Sequence, residues 1–128
     1  MSQKRPENFL YTQEHEWAHI QNDDIAVIGI TDFAQESLGE IVFVELPELG
    51  RHLNKDEAFG VVESIKSVSD LYAPVSGEVI AINEELTQSP ETLNAQPFES
   101  WLVKIKMSNK DEKNSLLSAD RYQKICEQ

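Results

Sequence analysis

Residues 60–77 read Gly60-Val61-Val62-Glu63-Ser64-Ile65-Lys66-Ser67-Val68-Ser69-Asp70-Leu71-Tyr72-Ala73-Pro74-Val75-Ser76-Gly77. A single lysine, Lys66, lies between two runs, 59–65 and 68–73, that are rich in β-branched and aromatic residues. Such composition favours β-strands, so we predict two strands that meet at the lysine. If the strands pair as a hairpin, the Lys66 ammonium lies in water at the tip, where another protein could reach it.

The turn itself lacks the usual hairpin residues. Ser64-Ile65-Lys66-Ser67 contains no Gly, Asn, Asp or Pro, so a continuous strand with one exposed lysine stays open as an alternative. Ser64, Ser67 and Ser69 leave space in which a modifying enzyme could grip a hairpin. Glu63 and Asp70, the acids nearest the lysine, offer charges that such an enzyme or a client could read.

The stretch resembles the lipoyl-lysine segment of the H-protein family of the glycine cleavage system, small carriers in which one lysine is acylated by lipoic acid. The matching residues are 60–64 before the lysine, Ser69-Asp70 after it and 73–78 beyond. The similarity runs from Tyr11 to about Ile125. Its other islands are His15-Glu16-Trp17, Gly29-Ile30-Thr31-Asp32, Ala34-Gln35, Leu38-Gly39, Ile41-Val42-Phe43-Val44-Glu45-Leu46-Pro47, Trp101-Leu102-Val103-Lys104-Ile105 and Leu116-Leu117-Ser118-Ala119.

The resemblance implies a carrier without catalysis of its own. Lys66 would be the N6-lipoyllysine, made by a lipoate-attaching enzyme. A pyridoxal-phosphate glycine decarboxylase would load the arm with aminomethyl, a tetrahydrofolate-dependent aminomethyltransferase would unload it, and a dihydrolipoyl dehydrogenase would reoxidise it. We expect a monomer in the bacterial cytoplasm, or in the mitochondrial matrix only if a transit peptide has been removed.

Three acids are candidates for contacting the aminomethyl nitrogen of a loaded arm. By position these are Glu14, Glu16 and Asp70, since acids beside a potential ammonium make physical sense. The alternative is that they are solvated surface carboxylates. We expect His15 and Trp17 to be structural.

The expected fold is mainly β: a flattened barrel or sandwich of two antiparallel sheets, of the lipoyl/biotinyl-carrier (barrel-sandwich hybrid) type. One internal echo supports two similar halves, because residues 39–44 and 77–82 align at a spacing of 38, each with Gly and Glu before an apolar run. At 128 residues the chain is long enough for one domain, residues 1–128, which we divide into a mobile tail over 1–9 and a folded part over 10–127.

The remaining elements follow from periodicity and capping residues. Thr31 can cap a helix over residues 32–38, which Gly39 can end. We predict three strands, over residues 14–20, 25–30 and 101–106. Trp17 in the first and Trp101 in the third should point towards the core. Asn83 can cap a single helical turn over residues 84–86. Residues 87–98 are predicted to form a loop, because they contain two prolines. One or two short helices are predicted within residues 111–127, with Ser118 as a cap.

Charge and composition exclude several kinds of partner and site. The net charge is −12, from 23 acids and 11 bases, which argues against nucleic acid and anionic membranes. It favours either basic partner surfaces or simply solubility. No apolar run reaches the length of a membrane span, and the N-terminus is not a secretory signal. The single cysteine, Cys126, excludes an internal disulfide, and three scattered histidines make a metal site improbable.

Other readings stay open at this point. Lipoyl domains of 2-oxoacid dehydrogenases usually carry Asp-Lys-Ala at the tip, and biotin carriers usually place the lysine between methionines, so both fit less well. An H-like protein that acts mainly as lipoyl donor or relay in lipoate assembly, and an unmodified binding domain, are compatible with the sequence. The approach to Trp101 also departs from the family pattern, because Pro97-Phe98-Glu99-Ser100 is one residue shorter and lacks glycine.

Overall fold

The computed structural model describes residues 5–127 and contains nine strands, four short α-helices and one 3-10 helix in that range. The strands are β1 Leu10–Tyr11, β2 Glu16–Gln21, β3 Ile25–Ile30, β4 Ile41–Glu45, β5 His52–Leu53, β6 Ala58–Ser64, β7 Val68–Tyr72, β8 Gly77–Ile82 and β9 Val103–Met107. The helices are α1 Asp32–Leu38, α2 Glu85–Gln88, α3 Thr92–Ala95 and α4 Ala119–Cys126, with the 3-10 helix at Lys110–Ser115.

The strands form two antiparallel sheets, which confirms the predicted mainly-β class. One sheet has six strands in the order β1-β2-β3-β9-β8-β5, and the other has three in the order β4-β6-β7. Neither sheet closes on itself as a barrel within residues 5–127. The two segments that echo each other in sequence, β4 and β8, lie in different sheets.

The main core consists of apolar side chains from both sheets, together with Leu86 of α2 and Leu93 of α3. Burial of these side chains is the main favourable term in the folding of such a domain. A second, smaller cluster is formed by Tyr11, Trp17, Val27 and Tyr122. This second cluster fixes α4 to the six-stranded sheet.

The helix at residues 32–38 is as predicted. The Thr31 hydroxyl accepts from the Ala34 N–H at 3.2 Å, and the Gly39 N–H donates to the Gln35 carbonyl. Gly39 has φ +81°, a left-handed value that favours glycine and ends the helix.

The segment after β8 differs from the prediction. Helix α2 begins at Glu85 without a side-chain cap, because the Asn83 amide instead donates to the Trp101 carbonyl at 2.9 Å. The predicted loop contains the last residues of α2 and all of α3, which fits between its two prolines. Local composition did not reveal α3, since its buried Leu93 packs into a core made by distant residues.

One further difference concerns the start of β9. Strand β9 begins at Val103, and Trp101 precedes it, half-buried, with the Lys104 ammonium 4.9 Å from its ring centroid. The residues described from the expected mobile tail make specific contacts: Arg5 pairs with Asp32 at 2.9 Å, and Phe9 stacks on Trp17. The prediction for residues 1–4 lies outside the described residues.

No helix within the described range is long and apolar enough to cross a bilayer.

Candidate functional site: the lysine hairpin

Strands β6 and β7 pair as a hairpin with Lys66 at its tip, and not as the continuous strand that the sequence also allowed. Glu63 pairs with Val68 at the last position of the ladder, which leaves Ile65, Lys66 and Ser67 to make the turn. All three turn residues are exposed. The Lys66 ammonium has no ion-pair partner among residues 5–127, so its amine is accessible to a modifying enzyme.

Ser64 supplies the turn chemistry that the sequence seemed to lack. Its hydroxyl accepts from the backbone N–H groups of Ser67, at 3.1 Å, and Lys66, at 3.3 Å. The Ser64 N–H also donates to the Ser67 carbonyl at 2.8 Å. A serine hydroxyl can replace a backbone acceptor in this way. Ser64 is buried, so its role here is to close the turn, whereas Ser67 and Ser69 are exposed.

The turn rests on the segment that joins α1 to β4. The Ile65 N–H donates to the Glu40 carbonyl at 3.0 Å. The Lys66 stem passes over Gly39, where a Cβ would lie 3.4 Å from the Lys66 Cε atom. The lysine is therefore presented by a backbone that is fixed on both strands and underneath.

The outer face around the hairpin combines apolar and acidic side chains. Ile65 and Val68 are 70% and 64% exposed, and Phe43 lies beside Glu63 in the ladder. Asp70 is exposed two residues beyond Val68. Neither Glu63 nor Asp70 takes part in an ion pair among the described residues.

Glu16 is buried, unlike a solvated surface carboxylate. It is 2% exposed, and its two oxygens accept from the Thr12 hydroxyl at 2.7 Å and from the Tyr72 N–H at 3.2 Å. Burial raises the pKa of Glu16 from the usual 4.5 to about 7, although both hydrogen bonds act in the opposite direction. Glu14 is exposed and adds a small further rise to that pKa.

The candidate residues divide into two groups along β7. Glu63, Ser64, Lys66 and Ser67 lie at the tip, and Glu16 contacts the far end of the strand through Tyr72. Asp70 lies between them, four residues from Lys66, which corresponds to about 13 Å at the rise of a strand. The hydrogen bond from the Tyr72 N–H to Glu16 could not be predicted from the sequence, because its donor is a backbone group.

The neighbours of Glu16 in sequence have structural contacts. The His15 Nδ1 atom lies 2.7 Å from the Tyr122 hydroxyl, which also contacts the Thr31 hydroxyl at 2.7 Å. The Trp17 indole N–H donates to the Pro97 carbonyl at 3.0 Å. Burial lowers the pKa of His15, and the Glu14 carboxylate partly opposes this effect. The His15 contact holds the loop before β2 against α4, and the Trp17 bond holds β2 against the segment after α3.

Residues 5–127 contain no group of three or more His, Cys, Asp or Glu side chains arranged to hold a metal ion.

Comparison with known proteins identifies relatives over almost the whole chain. The family model described as glycine cleavage H-protein matches residues 9–128. A glycine cleavage system H protein of Ralstonia nicotianae is 55% identical over 118 residues, which are 92% of this chain and 93% of the relative. One of Bacillus cereus is 51% identical over 124 residues, 96% and 97% of the two chains.

A solved structure agrees with these sequence relatives. The crystal structure of a glycine cleavage system H protein from Mycobacterium marinum superimposes with a TM-score of 0.86 at 37% identity. The match covers 94% of this chain and 97% of that one.

Proposed function

Because this chain belongs to the glycine cleavage H-protein family, we propose that Lys66 carries lipoic acid and that the modified protein shuttles the aminomethyl group of glycine. The observation that carries the proposal is the exposed Lys66 amine at the tip of a hairpin fixed from below. The surroundings suit the attachment of a carboxylic acid as an amide. No acid within the described residues pairs with the amine, and its two neighbours in the turn, Ile65 and Ser67, are apolar and small.

When attached, lipoic acid supplies a strained cyclic disulfide whose reduction and reoxidation accompany the transfer of the carbon unit. This chain supplies the position of the arm. From the Lys66 Cα atom to the ring there are about eleven bonds, or about 14 Å when extended. That length is enough to reach along β7 to Asp70 and towards Tyr72.

We assign to Glu16, Asp70 and Glu14 the binding of the cationic amine of a loaded arm. Asp70 and Glu14 are exposed, so they would attract the amine through solvent at modest strength. Glu16 would act more strongly, since a cation beside this buried carboxyl favours its ionised form and lowers its raised pKa. The arm would then lie against the body of the protein, where water has less access to it.

The proposed partners are the lipoate-attaching enzyme, glycine decarboxylase, aminomethyltransferase and dihydrolipoyl dehydrogenase. The apolar and acidic outer face around Lys66 supports docking to basic enzyme surfaces, and the net charge of −12 supports long-range steering. The chain acts as a monomeric carrier, and its partners perform the catalysis.

The first experiment tests attachment. Wild type, Lys66→Arg and the matched control Lys55→Arg are incubated with lipoate ligase, ATP and lipoate, and their intact masses are measured. We expect one lipoyl group on wild type and on the control, and none on Lys66→Arg. An unmodified wild type, or a modified Lys66→Arg, would disprove the assignment.

The second experiment tests transport. Lipoylated wild type is combined with the three purified enzymes, glycine, tetrahydrofolate and NAD, and NADH formation is followed. We expect turnover that requires every component and stops with Lys66→Arg. Turnover of glycine by this protein alone would contradict the carrier role. Efficient lipoyl transfer to a dehydrogenase subunit without glycine-dependent turnover would support the relay function instead.

A further inference from the structure

Asn94 links α3 to the segment beneath the lysine hairpin. Its side-chain oxygen accepts from the Ile41 N–H at 2.9 Å. Its amide nitrogen donates to the Gly39 carbonyl at 2.8 Å and to the Gln35 side-chain oxygen at 3.0 Å. The oxygen and both N–H groups of the amide are thus engaged, and they tie together the end of α1 and the start of β4.

Two of the three groups bonded by Asn94 belong to residues that contact the hairpin in turn. Ile41 is the ladder partner of Ser64, whose hydroxyl closes the turn. Gly39 lies under the Lys66 stem. Between these two, the Glu40 carbonyl accepts the Ile65 N–H.

We propose that Asn94 is a positioning residue that orients Lys66 for its partner enzymes by fixing residues 39–41 beneath the turn. Helix α3 can serve as the anchor because Leu93, next to Asn94, is completely buried in the core. Gly39 needs such a restraint, since it adopts a left-handed conformation and carries no side chain of its own. Without the amide, the Gly39 carbonyl and the Ile41 N–H lose their partners, and the segment gains alternative conformations.

The functional part of this inference rests on the proposed modification of Lys66. An enzyme that acts on a disordered turn must first order it, and that cost weakens binding without changing the chemical step. Loss of Asn94 should therefore raise the KM for lipoate attachment and leave kcat unchanged.

The experiment compares the full chain as wild type, Asn94→Ala, Asn94→Asp and the control Asn83→Ala. Asn83 is a matched control, because it is also a half-buried asparagine whose amide donates to a distant carbonyl, and that carbonyl belongs to Trp101 and not to residues 39–41. Amide hydrogen exchange at Ile65 is measured relative to the β3 amides. Steady-state kinetics of lipoate attachment are measured on the same samples.

For Asn94→Ala we expect the relative protection of the Ile65 amide to fall by about tenfold and KM to rise by a similar factor. Asn94→Asp keeps the acceptor for Ile41 but loses both donors, so it should shift both readouts in the same direction even if Asn94→Ala fails to fold. Asn83→Ala should change neither. Unchanged Ile65 exchange and KM in the folded Asn94 variants would overturn the inference. If wild type accepts no lipoyl group, the proposed function fails, while the Ile65 exchange still decides whether Asn94 orders the turn.

Discussion

Replacing Glu16 by glutamine should remove a large pH dependence of the stability. The folded protein holds the pKa of Glu16 at about 7, against a usual 4.5 for glutamate. Between these values the folded state keeps a proton that the unfolded state has lost, so stability falls as pH rises through this window. At about 1.4 kcal/mol per pKa unit, the full effect is about 3 kcal/mol.

Urea unfolding of wild type and Glu16→Gln measures the effect. Between about pH 5.5 and about pH 8, wild type should lose about 2 kcal/mol more unfolding free energy than the variant, because part of the shift lies below that range. The comparison cancels His15 and other groups that titrate in both proteins. Glutamine can still accept from the Tyr72 N–H. Its NH2 group would face the Thr12 hydroxyl, whose oxygen already accepts from the Glu14 and Glu16 N–H groups, and this cost does not depend on pH, so it cancels from the comparison of slopes.

A direct titration provides the second measurement. The side-chain carboxyl carbon of Glu16, observed by NMR, should titrate near pH 7 in the unmodified protein. Parallel stability curves for the two proteins, together with a carboxyl that titrates near its usual pKa, would refute the reasoning. The burial of Glu16 would then not disfavour its charge as argued.

Three further substitutions test the parts of the structure that support the site. Ser64→Ala removes the acceptor for two turn amides, so the unfolding free energy measured in urea should fall by about 1 kcal/mol. The control Ser69→Ala, at an exposed position, should leave it almost unchanged. Equal losses in the two variants would contradict the role given to Ser64 in the turn. Gly60→Ala places a Cβ 2.3 Å from the Glu45 carbonyl oxygen, so the unfolding free energy should fall by about 2–3 kcal/mol. An unchanged unfolding free energy would show that β4 and β6 can move apart to accept the methyl group. Tyr122→Phe removes the hydroxyl that contacts both the buried Thr31 hydroxyl and the half-buried His15 Nδ1 atom, so the unfolding free energy should fall by about 1–2 kcal/mol and proteolysis of the C-terminal helix should be faster. Unchanged proteolysis would show that packing alone holds the helix.

The sequence predicted the two strands that flank Lys66 but not how the turn between them is made. Runs rich in β-branched and aromatic residues on both sides of Lys66 are a local signal, and both form strands. The turn depends on the Ser64 hydroxyl and on the Glu40 carbonyl. The second of these comes from a distant segment, which no local pattern reveals.

The burial of Glu16 likewise could not be predicted from the alternation of residues along its strand. Alternation placed Trp17 inward, which is correct, and the same rule would place Glu16 on the outer face. Both are buried, because the end of β7 covers the face that carries Glu16. Alternation fails where a strand is covered on both faces. The covering element can be identified only from the fold.

Substitution of the buried Glu16 can separate its structural role from its proposed role in binding a loaded arm. If Glu16 served only to hold the loop before β2 against β7, a neutral side chain would do so without the pH-dependent cost of about 3 kcal/mol at neutral pH. The proposed binding of the cationic amine by Glu16 would account for an ionisable group at this buried position. Glu16→Gln should therefore lose less stability than wild type between about pH 5.5 and about pH 8 and yet protect a loaded arm less well. Release of formaldehyde and ammonia from the loaded protein would be faster in the variant, and an unchanged rate would assign Glu16 to the scaffold alone.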